Sequence, residues 1–215
     1  MELSVVIPVY NSENSIGPLI ERLGNALQGI SYEVILVNDG SRDSSEEVCT
    51  RLAETRPEVT FISLRRNFGE FNAVMCGLNH AQGLFCVMID DDFQNPPEEI
   101  LKLVHTARTS NYGVVYTHYD KKEHALYRNF GSRFVNWITS YLLNKPRDLY
   151  LSSFKLIRQE VVQEVIKYTG PYPYIDGLLF RVTRNMGTIK VSHQKREEGR
   201  SNYTPRKLIS LFLNI

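Results

Sequence analysis

The sequence predicts an α/β domain built on a doubly wound, mostly parallel sheet, with helices on both faces and a C-terminal elaboration. Three observations predict it. Short β-branched runs alternate with polar-apolar stretches of helical period through the first half of the chain. The strand runs are continuously apolar, as expected for strands covered on both faces. Several of them also end abruptly in polar residues: "IPVYNSEN", "VNDGSRD" and "IDDDFQN". In an open parallel sheet such ends rise from one edge, where ligands bind.

Taken in order, strands are predicted at Leu3–Val9, Val34–Val37, Val59–Leu64, Phe85–Ile89 and Val114–Tyr116, with helices at Ile16–Leu27, Ser45–Glu54, Glu70–Ala81 and Glu98–Ala107. In the third helix Gly69, Ala73, Gly77 and Ala81 recur every fourth residue, a smooth stripe suited to close packing on a sheet. After Tyr116 a polar loop leads to an amphipathic stretch from Phe130 to Leu143. There follow a strand in "LSSFKLI", a short helix, the segment "TGPYPYIDGLLFRV", a strand near Thr188–Val191 and a basic tail. Residues 1–203 read as one domain and 204–215 as the start of an amphipathic, membrane-associated segment of a chain cut short.

The 215 residues suffice for one good-sized core, and the formal net charge of +1 gives no reason to expect a nucleic-acid partner. Cys49, Cys76 and Cys86 have no CxxC spacing and read as free thiols of a reducing compartment. "MELSVVIPVY" enters core structure at once and reads as lacking a secretory leader, and no run approaches the roughly 20 apolar residues of a membrane span.

The chemistry concentrates in Asp90, Asp91 and Asp92 at the end of the fourth strand. Turn and cap duties explain single polar residues: Asp43 before the second helix, Asn95 with Pro96 or Pro97 before the fourth. Three adjacent carboxylates exceed such a duty, and gathering them is costly without a cation. Oxygen donors suit a hard divalent ion, Mg²⁺ or Mn²⁺, that shares its shell with phosphate oxygens. No GxGxxG follows the first strand, and there is no GxxxxGK[ST] loop. Metal-binding aspartates with a further aspartate, Asp39, for a base or ribose point to a nucleotide-sugar enzyme.

"SVVIPVYNSENSI", "VILVNDGSRDSS", "LRRNFGEFNAVMCGLNHAQG" and "MIDDDFQNPPEEI" resemble, in order and spacing, glycosyltransferase family 2 with its Rossmann-like GT-A fold, in the branch of the dolichyl-phosphate mannose synthases and polyprenyl-phosphate glycosyltransferases. "REEGRSNYTPRKL" is similar to that group's late Arg-x-x-Gly-x-Ser-x-Tyr element. The resemblance implies that Pro8, Tyr10, Asn11 and Asp39 line the nucleoside side of a nucleotide-sugar donor site. It implies Asp90 and Asp92 as the Asp-x-Asp pair, with Asp92 and Gln94 as direct ligands of Mg²⁺ or Mn²⁺ and Asp90 beside metal and nucleotide. Arg196 would contact the donor diphosphate within a closing loop that includes Ser201, and Arg128 and Ser132 match an element that holds a lipid phosphate. Arg128 alone also reads as a solvated helix face.

Three departures stand out. The family's Tyr-Asn-Glu reads Tyr10-Asn11-Ser12, so a base-contacting glutamate is missing or replaced by Glu13; Asp91 stands where alanine is usual; and His118 stands near where the synthases carry an arginine. The implied reaction is an inverting, metal-dependent transfer of a sugar from a UDP- or GDP-sugar to polyprenyl phosphate. A phosphate acceptor is already nucleophilic at neutral pH. A hydroxyl acceptor of a glycan or lipid-linked saccharide would call for a base, and Asp176 in "PYPYIDGLLF" is its candidate, or else the cap of a helix through Leu178–Val182. A non-catalytic sugar-nucleotide binding module would predict a damaged metal motif, and this one is intact. The tail "YTPRKLISLFLNI" puts Leu208, Leu211, Phe212 and Ile215 on one helical face beside Arg206 and Lys207, which implies peripheral attachment at the cytoplasmic face of a membrane.

Overall fold

A computed structural model describes residues 1–119 and 150–192. The stretch 130–143, the basic tail, Arg128, Ser132, Arg196 and Ser201 lie outside the described residues. The elements are β1 (Leu3–Val9), α1 (Ile16–Ala26), β2 (Tyr32–Asn38), α2 (Ser45–Thr55), β3 (Val59–Ser63), α3 (Glu70–His80), β4 (Phe85–Met88), α4 (Ile100–Ser110), β5 (Val114–His118), β6 (Lys155–Arg158), α5 (Gln159–Val165), α6 (Ile175–Val182) and β7 (Met186–Lys190). The described strands form one sheet in the order β3-β2-β1-β4-β6-β5-β7. β6 runs antiparallel to both neighbours, and the other pairings are parallel.

The period-2 pleat sorts the apolar side chains into two cores. Leu3, Val5, Ile7 and Val9 of β1, with Phe85 and Val87 of β4, face Leu19 and Leu23 of α1, Cys49 of α2 and Leu103 of α4. Val6, Ile35, Val37, Cys86 and Met88 face Ala73 and Leu78 of α3, Val161 and Val162 of α5 and Leu179 of α6. Both faces are covered, which is why the strands read as unbroken apolar runs. Truncating a fully buried side chain such as Leu23 should destabilise the domain by about 2–5 kcal/mol.

The small-residue stripe is a packing device in its middle. A Cβ on Gly77 would meet Val6 Cγ1 at 2.4 Å, so α3 lies directly on β1. Gly69 serves differently: it precedes the helix at φ +96°, and a Cβ there would meet nothing within 4 Å. α4 begins at Ile100 rather than Glu98, because Pro97–Glu99 forms a 3-10 turn with proline in its first turn. The strand expected across "LSSFKLI" is confined to Lys155 onward. Ahead of it the Ser152 hydroxyl accepts the Thr117 N–H (3.1 Å) and donates to the Phe154 carbonyl (2.7 Å), replacing ladder bonds with side-chain ones.

Strand order reverses between β1 and β4, so the crevice above their carboxyl ends is the topological switch point. The loops after β1, β2 and β4 meet there.

Candidate active site

The three aspartates lie beyond the end of β4, running into a turn, and each takes a different partner. Asp91 shares the parity of Val87 and Ile89 and turns to the α1 side, where its Oδ2 accepts the Ser12 hydroxyl and the Tyr10 N–H (3.4 Å). Asp90 shares the parity of Met88, and its Oδ2 accepts the Ser153 hydroxyl at 2.5 Å. Asp92 Oδ1 accepts the Gln94 N–H at 3.1 Å across a tight turn. Phe93 at the centre of that turn sits at φ +60°, a left-handed conformation that costs a bulky residue about 1–3 kcal/mol and recurs at functional sites. Burial pushes the Asp91 carboxyl up to about 6; the Ser12 and Tyr10 hydrogen bonds pull it down, while Asp90 and Asp92 raise it further.

On the β1–β2 side, carboxylates and amides are clasped by backbone. Asp39 is buried, and its two oxygens accept the Phe68 and Gly69 N–H groups at 2.7 and 2.9 Å. Gly40 beside it has φ +65°, and a Cβ there would lie 2.6 Å from the Arg66–Asn67 backbone, so the loop after β3 closes over this turn only because residue 40 is glycine. Asn11, itself at φ +55°, donates its N–H to Ser41 Oγ (3.0 Å) and accepts the Arg42 N–H (2.8 Å). Glu13 accepts the Ser44 N–H at 2.9 Å and donates its own N–H to Asp43 at 3.2 Å. Asp43 also accepts the Ser45 N–H and hydroxyl; it is not the cap expected of it, since the N-cap of α2 is Ser44 and no side-chain cap bond is made there, but it places negative charge at the helix N-terminus. Pro8 lies within β1, paired with Val37.

On the β6–β5 side the polar groups are side chains. Lys155 of β6, only 2% exposed, forms an ion pair with Oδ1 of Asp176, 9% exposed, and the Tyr116 hydroxyl donates to the same oxygen at 2.9 Å. The Lys155 ammonium also lies over the Tyr116 ring, 4.9 Å from its centroid. Burial first, and then the Asp176 charge and hydrogen bond, raise the Tyr116 phenol well above its usual range. Two expectations are corrected here. Asp176 does not cap a helix: α6 starts at Ile175, and no side-chain cap bond is made at Tyr174. Asn95 does not cap α4 either; its Oδ1 accepts the Tyr119 hydroxyl at 2.5 Å. His118 ends β5, where its carbonyl accepts the Val191 N–H.

A cleft of about 260 Å³ opens beside Asp90, its lining including Gln94, Asn95, Tyr119, Tyr150 and Ser153. Asp90, Asp91 and Asn11 thus come together with Tyr10 and Ser12 at the switch point, whereas Asp176 sits in the layer of α5 and α6. Reasoning on the sequence missed Lys155 and Ser153. A lone lysine inside the apolar "FKLI" was the available signal, since a lysine buried in a strand needs a carboxylate partner. Among the described residues no three His, Cys, Asp or Glu side chains form a ready-made metal cage. The half-exposed oxygen donors Asp90, Asp92 and Gln94 fit a hard cation whose shell is completed by phosphate or water.

A doubly wound sheet with carboxylate-bearing loops gathered at its switch point defines an open-sheet α/β domain of the kind that binds ligands at the strand ends. More narrowly, the chain belongs to glycosyltransferase family 2: the description "Glycosyl transferase family 2" matches residues 4–166. Relatives include the undecaprenyl-phosphate 4-deoxy-4-formamido-L-arabinose transferase of Yersinia pestis (strain Pestoides F), 35% identical over 217 residues. The protein of that name from Photorhabdus laumondii is 35% identical over 218 residues. The chain is covered completely in both comparisons and spans 66% of the length of each relative. Among solved structures, M. tuberculosis glucosyl-3-phosphoglycerate synthase superposes with a TM-score of 0.69 at 18% identity, over 96% of this chain and 75% of that one. S. aureus TarS 1-349 in complex with UDP-GlcNAc gives 0.65 at 18% identity, over 98% and 64%. At such identities these structures establish the GT-A-type fold.

Proposed function

We propose that the chain is the catalytic domain of an inverting polyprenyl-phosphate glycosyltransferase that takes its sugar from a UDP- or GDP-sugar. The observation that carries this reading is the convergence of Asp90–Asp92 with the β1–α1 loop at the switch point. The 35% identical relatives are undecaprenyl-phosphate transferases by name, which supports the lipid phosphate as acceptor. The synthase of M. tuberculosis was crystallised with Mn²⁺, UDP and phosphoglyceric acid, which supports a divalent cation and a uridine nucleotide.

Asp90, Asp92 and Gln94 would hold Mg²⁺ or Mn²⁺, which when bound neutralises charge on the departing diphosphate. Tyr10, Asn11 and Asp39 bound the nucleoside side. An oxygen of the acceptor phosphate attacks the sugar C1 as the bond from C1 to the nucleoside diphosphate breaks. Arg196 and Ser201 would contact the donor diphosphate, and Arg128 and Ser132 would receive the acceptor phosphate, in keeping with the sequence elements they match. A phosphate monoester, with a second pKa near ~6, needs no general base. Asp176 is consistent with that, because its Oδ1 already accepts hydrogen bonds from Lys155 and Tyr116.

The basic and apolar sequence from Tyr203 to Ile215 supports work at the cytoplasmic face of a membrane. Among the described residues no helix is long and apolar enough to cross one.

The test is nucleoside diphosphate release from UDP- and GDP-sugars with Mn²⁺ or Mg²⁺, with and without a short polyprenyl phosphate. Release stimulated by the lipid phosphate is expected. Metal-dependent background hydrolysis that the lipid leaves unchanged would overturn the acceptor and return Asp176 to candidacy as a base for a hydroxyl. Asp92→Ala should lower turnover by about 10³-fold or more at an unchanged melting midpoint, and retained turnover would remove Asp92 from the metal site.

A further inference from the structure

The cleft beside Asp90 holds two groups that the reaction above does not use. Asn95 is 3% exposed, and its Oδ1 accepts the Tyr119 hydroxyl at 2.5 Å. Its Nδ2 amide has no partner among the described residues, though the residue lines the cleft. Tyr150, 57% exposed, stands edge-to-face against Tyr119, with ring centroids 6.4 Å apart and planes at 73°. An exposed tyrosine by itself calls for no explanation. A tyrosine that walls a cleft beside a buried amide with an unspent donor does, because such a donor costs free energy until a ligand accepts from it.

The strand order works as a ruler. Tyr10 and Asp39, on the nucleoside side of the function proposed above, follow β1 and β2, and the aspartates follow β4. Tyr119 follows β5, and Tyr150 to Ser153 lead into β6. This corner therefore lies on the far side of the aspartates, ~5 to 10 Å beyond β4 at the usual strand spacing. A diphosphate held at β4 with its nucleoside towards β2 carries its sugar to that side. We propose that Tyr150, Tyr119 and Asn95 form the subsite for the donor's sugar, and that this subsite takes an uncharged pyranose ring. The C–H groups of such a ring meet the electron-rich face of Tyr150, and a ring hydroxyl or an amide oxygen accepts from Asn95 Nδ2. The cleft, of about 260 Å³, falls below the ~300–1,000 Å³ of sites for drug-sized molecules and suits a single ring. Among the described residues its lining has no lysine, arginine or histidine and one carboxylate, Asp90. A uronic acid would bring a second carboxylate there with no cationic side chain to meet it.

The subsite rests on the donor reading given above, so the experiment separates nucleotide from sugar. Wild type, Tyr150→Ala, Tyr150→Phe and Asn95→Asp are compared by calorimetry with MnCl₂, first against UDP and GDP, then against UDP-glucose, UDP-N-acetylglucosamine, GDP-mannose and UDP-glucuronate. Melting midpoints without ligand check that each variant is folded. Tyr150→Ala should weaken the neutral sugar nucleotides that wild type binds by about 10-fold and leave UDP and GDP within about 2-fold, whereas Tyr150→Phe keeps the ring and should bind as wild type does. Asn95→Asp keeps an acceptor for Tyr119 but loses the amide donor, and should weaken the neutral sugar nucleotides alone by about 5-fold. UDP-glucuronate should bind wild type at least about 10-fold more weakly than UDP-glucose. A Tyr150→Ala variant that weakens nucleotides and sugar nucleotides equally, or neither, would overturn the subsite and leave the donor reading standing. UDP-glucuronate bound as tightly as UDP-glucose would overturn the uncharged class. A wild-type chain that binds neither nucleotide and none of their sugars would overturn the donor reading and the subsite with it.

Discussion

The two flanks of the cleft hold their charges by different means. On the β1–β2 flank, Asp39, Asp43, Glu13 and Asp91 each accept at least one backbone N–H, so the donors are amides of turns and of a helix start. On the β6–β5 flank, the charge of Asp176 is met by the side chains of Lys155 and Tyr116, which come from two different strands. A carboxylate clasped by backbone donors keeps its place if a neighbouring side chain is changed. A buried ion pair does not, because losing one partner leaves the other charged and desolvated. The first flank is therefore held by backbone amides and the second by side-chain pairing.

This contrast can be broken most forcefully at Lys155. Lys155→Met should destabilise the domain by about 3–5 kcal/mol in urea unfolding, because Asp176 is left buried without its cation. Lys155→Met/Asp176→Asn should recover most of that, since the Tyr116 hydrogen bond survives and no charge is stranded. Equal losses in both variants would show that packing around the lysine stem, not charge, holds this flank. A smaller effect is expected on the backbone flank, where no side chain can be removed to the same end. Gly40→Ala should cost about 2 kcal/mol, with loss of the Asp39 clasp visible as faster amide exchange at Phe68 and Gly69. Smaller again, Ser153→Ala removes one hydrogen bond to Asp90 and should raise the donor KM about 5-fold with little change in kcat; an unchanged KM would mean that Asp90 is oriented without it.

The smallest effect is a pH dependence on the backbone flank. Burial alone would raise the Asp43 carboxyl, but hydrogen bonds from the Ser45 hydroxyl and N–H and the Glu13 N–H hold it below its ordinary value of 3.8. A carboxyl depressed in the folded state stabilises the fold above its unfolded pKa. That contribution disappears as pH falls from about 4 through the folded value. The melting midpoint of wild type should therefore drop more steeply over that window than that of Asp43→Asn. Parallel curves would show that these hydrogen bonds work equally well with an amide.

The same contrast explains what could be read from the chain. β1 was legible to the residue, and β2 to β5 to within two residues at each end, because unbroken β-branched runs bounded by turn residues report strands buried on both faces. The backbone flank was legible in part: "NDGS" is a turn signal and Gly40 takes that role, while Asp43 binds the first residue of α2 from one place ahead of its N-cap. What stayed hidden depends on partners distant in sequence. Nothing near Lys155 announces Asp176, 21 residues away, nor does anything near Ser12 announce Asp91, 79 residues away. Asp90 to Asp92 were visible as a cluster, while the partners of Asp90 and Asp91, Ser153 and Ser12, lie far away in the sequence.

The place of β6 also sets an order on how the molecule can be assembled. Among the described residues β5 pairs with β6 and β7 alone, and β4 is bordered by β1 on one side and β6 on the other. A nascent chain that has emerged only as far as β5 can zip β1 to β4 together, yet it presents β4 as an open edge ready to pair with any strand it meets. Ribosomal synthesis must proceed past Arg158 before that edge is sealed. During the interval the half-made domain is exposed to misassembly, and chaperone protection would matter most there.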